Sequence, residues 1–466
     1  MISLVIEYFL AIALFFSFIV FIFYGFPVAW TMGGLGVFFI IISMLSDSLF
    51  DTFFGVDWGF ASMVVYRLYG VMANWVLVAL PMFIFMGLML DKSGIAEKMM
   101  RSMQKLFGNV RGGLAITVAL IGIILAASTG IIGASVVLLG VMSLPIMLKQ
   151  KYNKSLALGT IAASGCLGIL IPPSIMLVIM GDQLSIPILD LFMGAVFPGL
   201  ILGLLYIIYI LIYCKIYPEK APLAQDHQEV NLKDVVIALI DIIPPAGLIM
   251  LVLGSIFMGI ATVTEASAFG AIGSIIIAIL YKHFSFGILK EVVIKTMNTA
   301  AYIFAIFVGA TIFALVLREC GGDELIESGL TGLGLGPYGL IIFVLVVVFF
   351  LGFFLDWIEI TLIILPLLSP VIVSLDLQIN GFGVVDYPKL TWFAMLVAVT
   401  LQTSFLTPPV GFALFYLKGV CPPNVTMIDI YRGVIPFIVL QLIALVLVFL
   451  FPELVTWLPS KAFKPL

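Results

Sequence analysis

The sequence predicts an all-α polytopic membrane protein, and three observations carry that expectation. The composition is too apolar for water: of 466 residues, 63% are hydrophobic and 10% charged, with a mean hydropathy of +1.30. Soluble domains are roughly 45–50% apolar and about 25% charged. The apolar residues gather in runs long enough to cross a bilayer, which takes roughly 20 residues. The basic residues are divided unevenly among the segments between those runs, as membrane topology demands. With 21 Lys+Arg and 25 Asp+Glu for the whole chain, a soluble enzyme or a disordered chain is excluded. The formal net charge of −4 offers no basic footprint for nucleic acid. Cys166, Cys214, Cys320 and Cys421 are scattered, and His227 and His283 stand alone. Neither a disulfide framework nor a zinc site is expected.

Ordinary spans are read at 4–24, 28–46, 72–90, 188–213, 234–258, 262–281, 298–317 and 431–451. The first follows Met1 with no basic stretch or small-residue cleavage site and reads as a retained helix. Four other stretches are irregular. Residues 112–148 and 337–375 are apolar for 37 and 39 residues, too long for one crossing. Ser128-Thr129-Gly130 with Gly133 and Ser135 interrupts the first; Asp356-Trp357-Ile358-Glu359 with Thr361 interrupts the second. Residues 155–180 contain Pro172-Pro173-Ser174, and residues 390–417 contain Thr407-Pro408-Pro409. A Pro pair removes two backbone donors and clashes with the preceding turn. Such a break at membrane depth is tolerated where protein or a wet cavity covers it.

Charge placement tests the long stretches. Lys92, Lys98, Arg101, Lys105 and Arg111 precede the first, and Lys149, Lys151 and Lys154 follow it, so both its ends belong in the cytoplasm. Asp323, Glu324 and Glu327 precede the second and Asp376 and Asp386 follow, so both its ends belong outside. Each stretch therefore makes an even number of passes: two full helices would leave legs short of the roughly 20 residues a crossing takes, and a re-entrant hairpin fits equally well and suits the polar tips better. On this topology 16 of the 21 basic residues are cytoplasmic; Arg67, Arg318, Lys389, Lys461 and Lys464 are not.

The halves match in order with opposite orientation. Met86-Gly-Leu-Met-Leu-Asp-Lys-Ser-Gly94 answers Phe313-Ala-Leu-Val-Leu-Arg-Glu-Cys-Gly321, Ser143-Leu144-Pro145 answers Leu368-Ser369-Pro370, and Ile171-Pro-Pro-Ser174 answers Thr407-Pro-Pro-Val410. Inverted repeats place the ligand at midplane between broken helices. The expected divisions are N-terminal scaffold helices at 1–90 and an amphipathic arm at 91–111. The first transport half, 112–187, holds a hairpin at 112–149 and a broken helix at 155–180. Scaffold helices follow at 188–281, a second arm at 282–297, and a scaffold helix with a glycine-rich loop at 298–336. The second transport half, 337–418, holds a hairpin at 337–376 and a broken helix at 390–418. A C-terminal helix and tail end the chain at 419–466.

No GxxxxGK[ST] or HExxH is present, so coupling belongs to an ion gradient or a partner. Hairpin tips and helix breaks expose carbonyl oxygens, which with Ser, Thr or Asp suit Na⁺; inward helix N-termini suit an anion. One candidate Na⁺ site is Ser128, Thr129 and Gly130 with Gly165 and Cys166. The symmetric candidate is Gly352 and Asp356 with Thr403 and Ser404. Ser135, Ser174, Thr361 and Thr407, with Pro172-Pro173 and Pro408-Pro409, line the candidate substrate space. For each hydroxyl the alternative is a bond to a carbonyl of its own helix. Asp356 and Glu359 lie deep in an apolar stretch, where an ionisable group is costly and usually functional; Glu359 joins the substrate set. Glu265 and Asp241, nearer span ends, read as structural.

Thr129-Gly130-Ile-Ile-Gly-Ala-Ser135, Leu170-Ile-Pro-Pro-Ser174, Gly259-Ile-Ala-Thr-Val-Thr-Glu265 and Leu406-Thr-Pro-Pro-Val-Gly411 resemble the large membrane subunit of tripartite ATP-independent periplasmic (TRAP) transporters, in order and over essentially the whole chain. The Ser-Thr-Gly tip of the first hairpin departs from the Ser-Gly-Ser type frequent in that family. The resemblance implies an ion-transporter-superfamily protein of the bacterial inner membrane, no cofactor, and Na⁺ as coupling ion. It implies import of a small organic anion by an elevator motion of hairpins and broken helices against a scaffold. Its partners would be a small four-helix membrane subunit, here expected on a separate chain, and a periplasmic substrate-binding protein. Phe412-Ala-Leu-Phe-Tyr-Leu-Lys418 and Trp457-Leu-Pro resemble the branch of that family associated with keto acids and other small carboxylates. The rival readings are a stand-alone Na⁺/dicarboxylate symporter and an intramembrane enzyme.

Overall fold

The computed structural model describes residues 2–50, 56–223 and 231–462, with side chains except those of residues 2–7, 50 and 126–129. It contains no strand among the described residues, and ten of its helices are long and apolar enough to cross a membrane. The chain opens with α1 (Ile2–Phe23), α2 (Val28–Phe50) and α3 (Trp58–Ala73). A 3₁₀ turn, Trp75–Val78, leads into α4 (Ala79–Lys92). Helix α3 is absent from the expected spans. Its 16 residues are short for a crossing, and Arg67 interrupts their apolar character.

Gly94, with φ +70°, ends the turn after α4, and a Cβ there would meet the His283 ring at 2.9 Å. The arm follows as α5 (Ile95–Leu106). It buries Ile95, Ala96, Met99, Met100 and Met103 on one face, the i, i+4, i+8 pattern of an amphipathic helix. Its polar face is tied to α11 (Leu232–Phe257): Lys98 Nζ lies 3.0 Å from Asp241, Ser102 also donates to Asp241, and Lys105 Nζ lies 2.8 Å from Asp234. The bond to Asp241 raises the Lys98 ammonium above its ordinary range. Asp241 is thus the structural group its position predicts. Glu265 is another: at the start of α12 (Val263–Leu280) it exchanges hydrogen bonds with Thr262 in a capping box.

The second arm is not a separate element. Residues 286–297 continue into the following span as one 34-residue helix, α13 (Phe286–Glu319). No proline interrupts the segment, so the helical ladder runs on. Along this segment Val292, with Ile288 beside it, packs with Met89 and Ala278, while Val293 and Met297 are exposed. The glycine-rich segment is also only partly loop, because Gly329–Gly332 closes α14 (Gly322–Gly332).

The first long stretch forms α6 (Gly113–Thr129), a break at Gly130, and α7 (Ile132–Lys149). Next come α8 (Lys154–Cys166), a 3₁₀ turn, an irregular passage over Pro172-Pro173, and α9 (Ile175–Leu184). The 29-residue α10 (Ile188–Ile216) leads to α11, α12, α13 and α14. The second long stretch forms α15 (Gly336–Leu351) and a turn at 352–356. It goes on through α16 (Trp357–Glu359), a π turn at Ile360–Ile364 and α17 (Leu365–Ser374). Then α18 (Pro388–Leu406) breaks at Pro408-Pro409 before α19 (Phe412–Val420), and α20 (Met427–Leu450) and α21 (Glu453–Thr456) complete the chain.

Outer helices pack as α2 on α13 and α4 on α12. The broken helices occupy the centre: every residue of Leu156–Cys166 in α8 and of Leu390–Leu406 in α18 is buried. Helix α20 crosses α8 so closely that a Cβ at Gly159 would sit 2.0 Å from the Gly433 carbonyl oxygen. Small residues let backbones approach this way in a bilayer, where apolar burial gives helices little drive to associate.

Candidate functional site

Two helix–break–helix pairs meet two broken helices. The far segment of each broken helix packs on the second leg of the other pair: α19 lies on α7, and α9 lies on the π turn and α17. Ile175, just after the first break, lies against Gly130, and Ser404, just before the second, lies against Gly352.

At the first tip Gly130 takes φ +60°, a backbone that favours glycine. A Cβ there would lie 3.2–3.3 Å from Ile175, the first residue of α9. The side chains of Ser128 and Thr129 lie outside the described residues. Gly165 faces α7, with Val136 2.4 Å from a Cβ built on it, and Cys166 is wholly buried one residue later. Ser135 is buried in the first turn of α7. Ser174 Oγ donates to the Ile169 carbonyl at 2.5 Å, spanning the Pro172-Pro173 break. The peptide between those prolines is cis, as is Pro408-Pro409.

At the second tip Gly352 approaches α18 so closely that a Cβ would meet Ser404 Oγ at 2.6 Å. Ser404 Oγ donates to the Phe349 carbonyl at 2.8 Å, joining α18 to the end of α15. Asp356 caps α16, its carboxylate accepting the Trp357 N–H at 2.8 Å. A carboxylate there also satisfies the partial positive charge of a helix N-terminus. Glu359, one turn on, is 1% exposed, and its Oε2 has no hydrogen-bond partner among the described residues. Thr361, Thr403 and Thr407 each donate to the carbonyl four residues back, at 2.7–2.8 Å. That is the local bond open to any helical threonine, and it leaves each oxygen able to accept. The Pro172-Pro173 break is buried, whereas Pro408 is half-buried and Pro409 exposed, its carbonyl accepting from Tyr431 Oη at 3.1 Å.

Residues absent from the sequence candidates link the two groups. Tyr416 on α19 lies against the start of α7, its ring 3.1 Å from a Cβ built on Gly133, and within electrostatic reach of Asp356. Tyr302 on α13 lies within reach of both Asp356 and Glu359. Thr160, Ser164 and Gln402 are buried with side-chain polar atoms that have no partner among the described residues. Tyr416 falls within the quoted Phe412–Lys418 run; the others carried no local signal.

The sequence-family description "Tripartite ATP-independent periplasmic transporter, DctM component" matches residues 15–454. The chain belongs to this family. Its members are the large component of TRAP transporters, multi-pass proteins of the bacterial inner membrane. A C4-dicarboxylate TRAP transporter large permease protein from Vibrio cholerae is 28% identical, over 95% of each chain. A sialic acid TRAP transporter large permease protein from the same organism is 27% identical, over 84% of this chain and 88% of its own. The fold is similar to that of the YdaH transporter of Alcanivorax borkumensis, with a TM-score of 0.55 at 15% identity over 83% of this chain and 87% of that one. Both of these relatives are named as permeases of TRAP transporters.

Proposed function

We propose that this large TRAP permease imports a small organic anion, of the carboxylate or keto acid class, in symport with Na⁺. A periplasmic binding protein delivers the anion, and a small four-helix membrane subunit completes the complex. Hairpins and broken helices carry the anion by an elevator motion against the outer helices. The observation that carries this reading lies at the second tip: Ser404 Oγ sits against Gly352 and donates to the Phe349 carbonyl, and the turn that starts at Gly352 ends on the carboxylate of Asp356. Oxygen-rich surroundings with one carboxylate suit a hard monovalent cation and balance its charge in a low dielectric. Glu359, Thr160, Ser164 and Gln402 add buried polar atoms with unused bonding capacity, which ion or substrate can satisfy. The relatives' names, C4-dicarboxylate and sialic acid permeases, support an organic acid. The test is uptake into proteoliposomes with the cognate membrane and binding proteins and a panel of organic acids. Uptake should follow an inward Na⁺ gradient without ATP; full uptake in Na⁺-free medium on a proton gradient alone would reassign the coupling ion.

A further inference from the structure

Two cavities occupy equivalent places in the two halves. In the first, Ile84, Gly87, Leu88 and Asp91 of α4 face Ala134 and Leu138 of α7, the second leg of the first hairpin. In the other, Thr311, Ala314, Leu315 and Arg318 of α13 face Leu362 and Pro366, on the second leg of the second hairpin. Both helical sets follow i, i+3, i+4, i+7, one face of a helix. Two differences separate the cavities. The first has a volume of about 20 Å³ and ends on a carboxylate; the second has about 320 Å³ and ends on a guanidinium. The larger cavity also gains Arg67 from α3.

Arg67 and Arg318 are two of the five basic residues that the expected topology places outside, against the prevailing asymmetry. Arg67 is exposed and has no ion pair among the described residues. Arg318 donates to the Pro366 carbonyl at 3.3 Å, and its Nε lies 3.6 Å from Asp323, a half-exposed pair of little strength. Asp182 is the one acidic residue lining the cavity, and both its oxygens are engaged: one accepts from Asn74 at 2.5 Å, the other from Gln183 at 2.9 Å. The walls come from α3 and α13 on one side and from α9, the π turn and α17 on the other.

We propose that this cavity is an outer vestibule in which Arg67 and Arg318 collect a small carboxylate before it reaches the hairpin tips. Planar guanidinium groups match a carboxylate in geometry as well as charge. A cleft with an excess of one sign of charge, here two guanidiniums to the one carboxylate of Asp182, raises the local concentration of the opposite ion by roughly tenfold. The proposal rests on the transport reading above.

The test places a thiol in the wall by Gly70→Cys, where an added Cβ meets nothing within 4 Å. The full chain in proteoliposomes is treated with anionic and cationic methanethiosulfonates, and the chain without that substitution gives the baseline. The anionic reagent should react about tenfold faster, and millimolar succinate or pyruvate should slow it more than NaCl of equal ionic strength. Adding Arg67→Gln and Arg318→Gln should bring the two rates together, whereas Arg67→Lys with Arg318→Lys should keep them apart. Equal rates with both arginines present, a preference that survives their removal, or no slowing by either carboxylate would overturn the proposal. Equal rates with both arginines present, beside normal Na⁺-driven uptake once the cognate membrane and binding proteins are added, would sink the vestibule alone. A preserved preference without Na⁺-driven uptake would sink the transport reading alone.

Discussion

Asp356 poses the sharpest question at the residue scale, because its position supports two roles. It caps α16 through the Trp357 N–H, and it is the acid nearest to Gly352 along the chain. Asparagine caps a helix about as well as aspartate, so Asp356→Asn separates the roles. The expected result is normal membrane expression with Na⁺ affinity weakened on the order of tenfold, about 1.4 kcal/mol, measured as the Na⁺ concentration for half-maximal uptake. An unchanged Na⁺ response would assign Asp356 to capping. Ser404→Ala should act differently. It removes one hydrogen bond to Phe349, worth about 0.5–1.5 kcal/mol, so thermal stability in detergent should fall slightly while the tip loosens. Asp356 and Ser404 were legible in the sequence because a polar group inside an apolar run stands out. Tyr302 and Tyr416 were not: aromatic residues are ordinary in membrane helices, and only the fold brings them to the acids.

Elements were legible wherever glycine, proline or a charge interrupts a hydrophobic run. The two long stretches and the two Pro pairs announced their breaks for that reason. Helix α3 did not, being short and mixed, and the second arm lacked any signal separating it from the span it continues into. The interlock of α19 on α7 and of α9 on α17 is nonlocal, so no periodicity in either segment encodes it. Re-entrance of the two helix–break–helix pairs remains an expectation from their like-signed flanks. Cysteines introduced by Arg111→Cys and Lys149→Cys should both react with impermeant reagents from the cytoplasmic side only. Those from Pro337→Cys and Asp376→Cys should react from outside only. Labelling of either pair from opposite faces would make its stretch a single crossing and undo the charge asymmetry.

For the whole molecule the decisive issue is relative motion between the outer helices and the interlocked centre. Asn74, between α3 and the turn into α4, donates to Asp182 near the end of α9 at 2.5 Å. On the proposed elevator motion this bond crosses the sliding boundary, so each cycle would break it. Bridging Asn74→Cys and Asp182→Cys with a short cleavable bis-thiol reagent should therefore arrest uptake, and cleaving the bridge should restore it. The native thiols compete little. Cys166, Cys214 and Cys320 are buried, and burial pushes the half-buried Cys421 thiol up to about 11, leaving little reactive thiolate at neutral pH. Each single variant treated with the reagent controls for blockage of the neighbouring cavity. Full uptake with the bridge complete would put α9 and the outer helices in one rigid body, and carriage of the anion would then have to come from the hairpin tips alone.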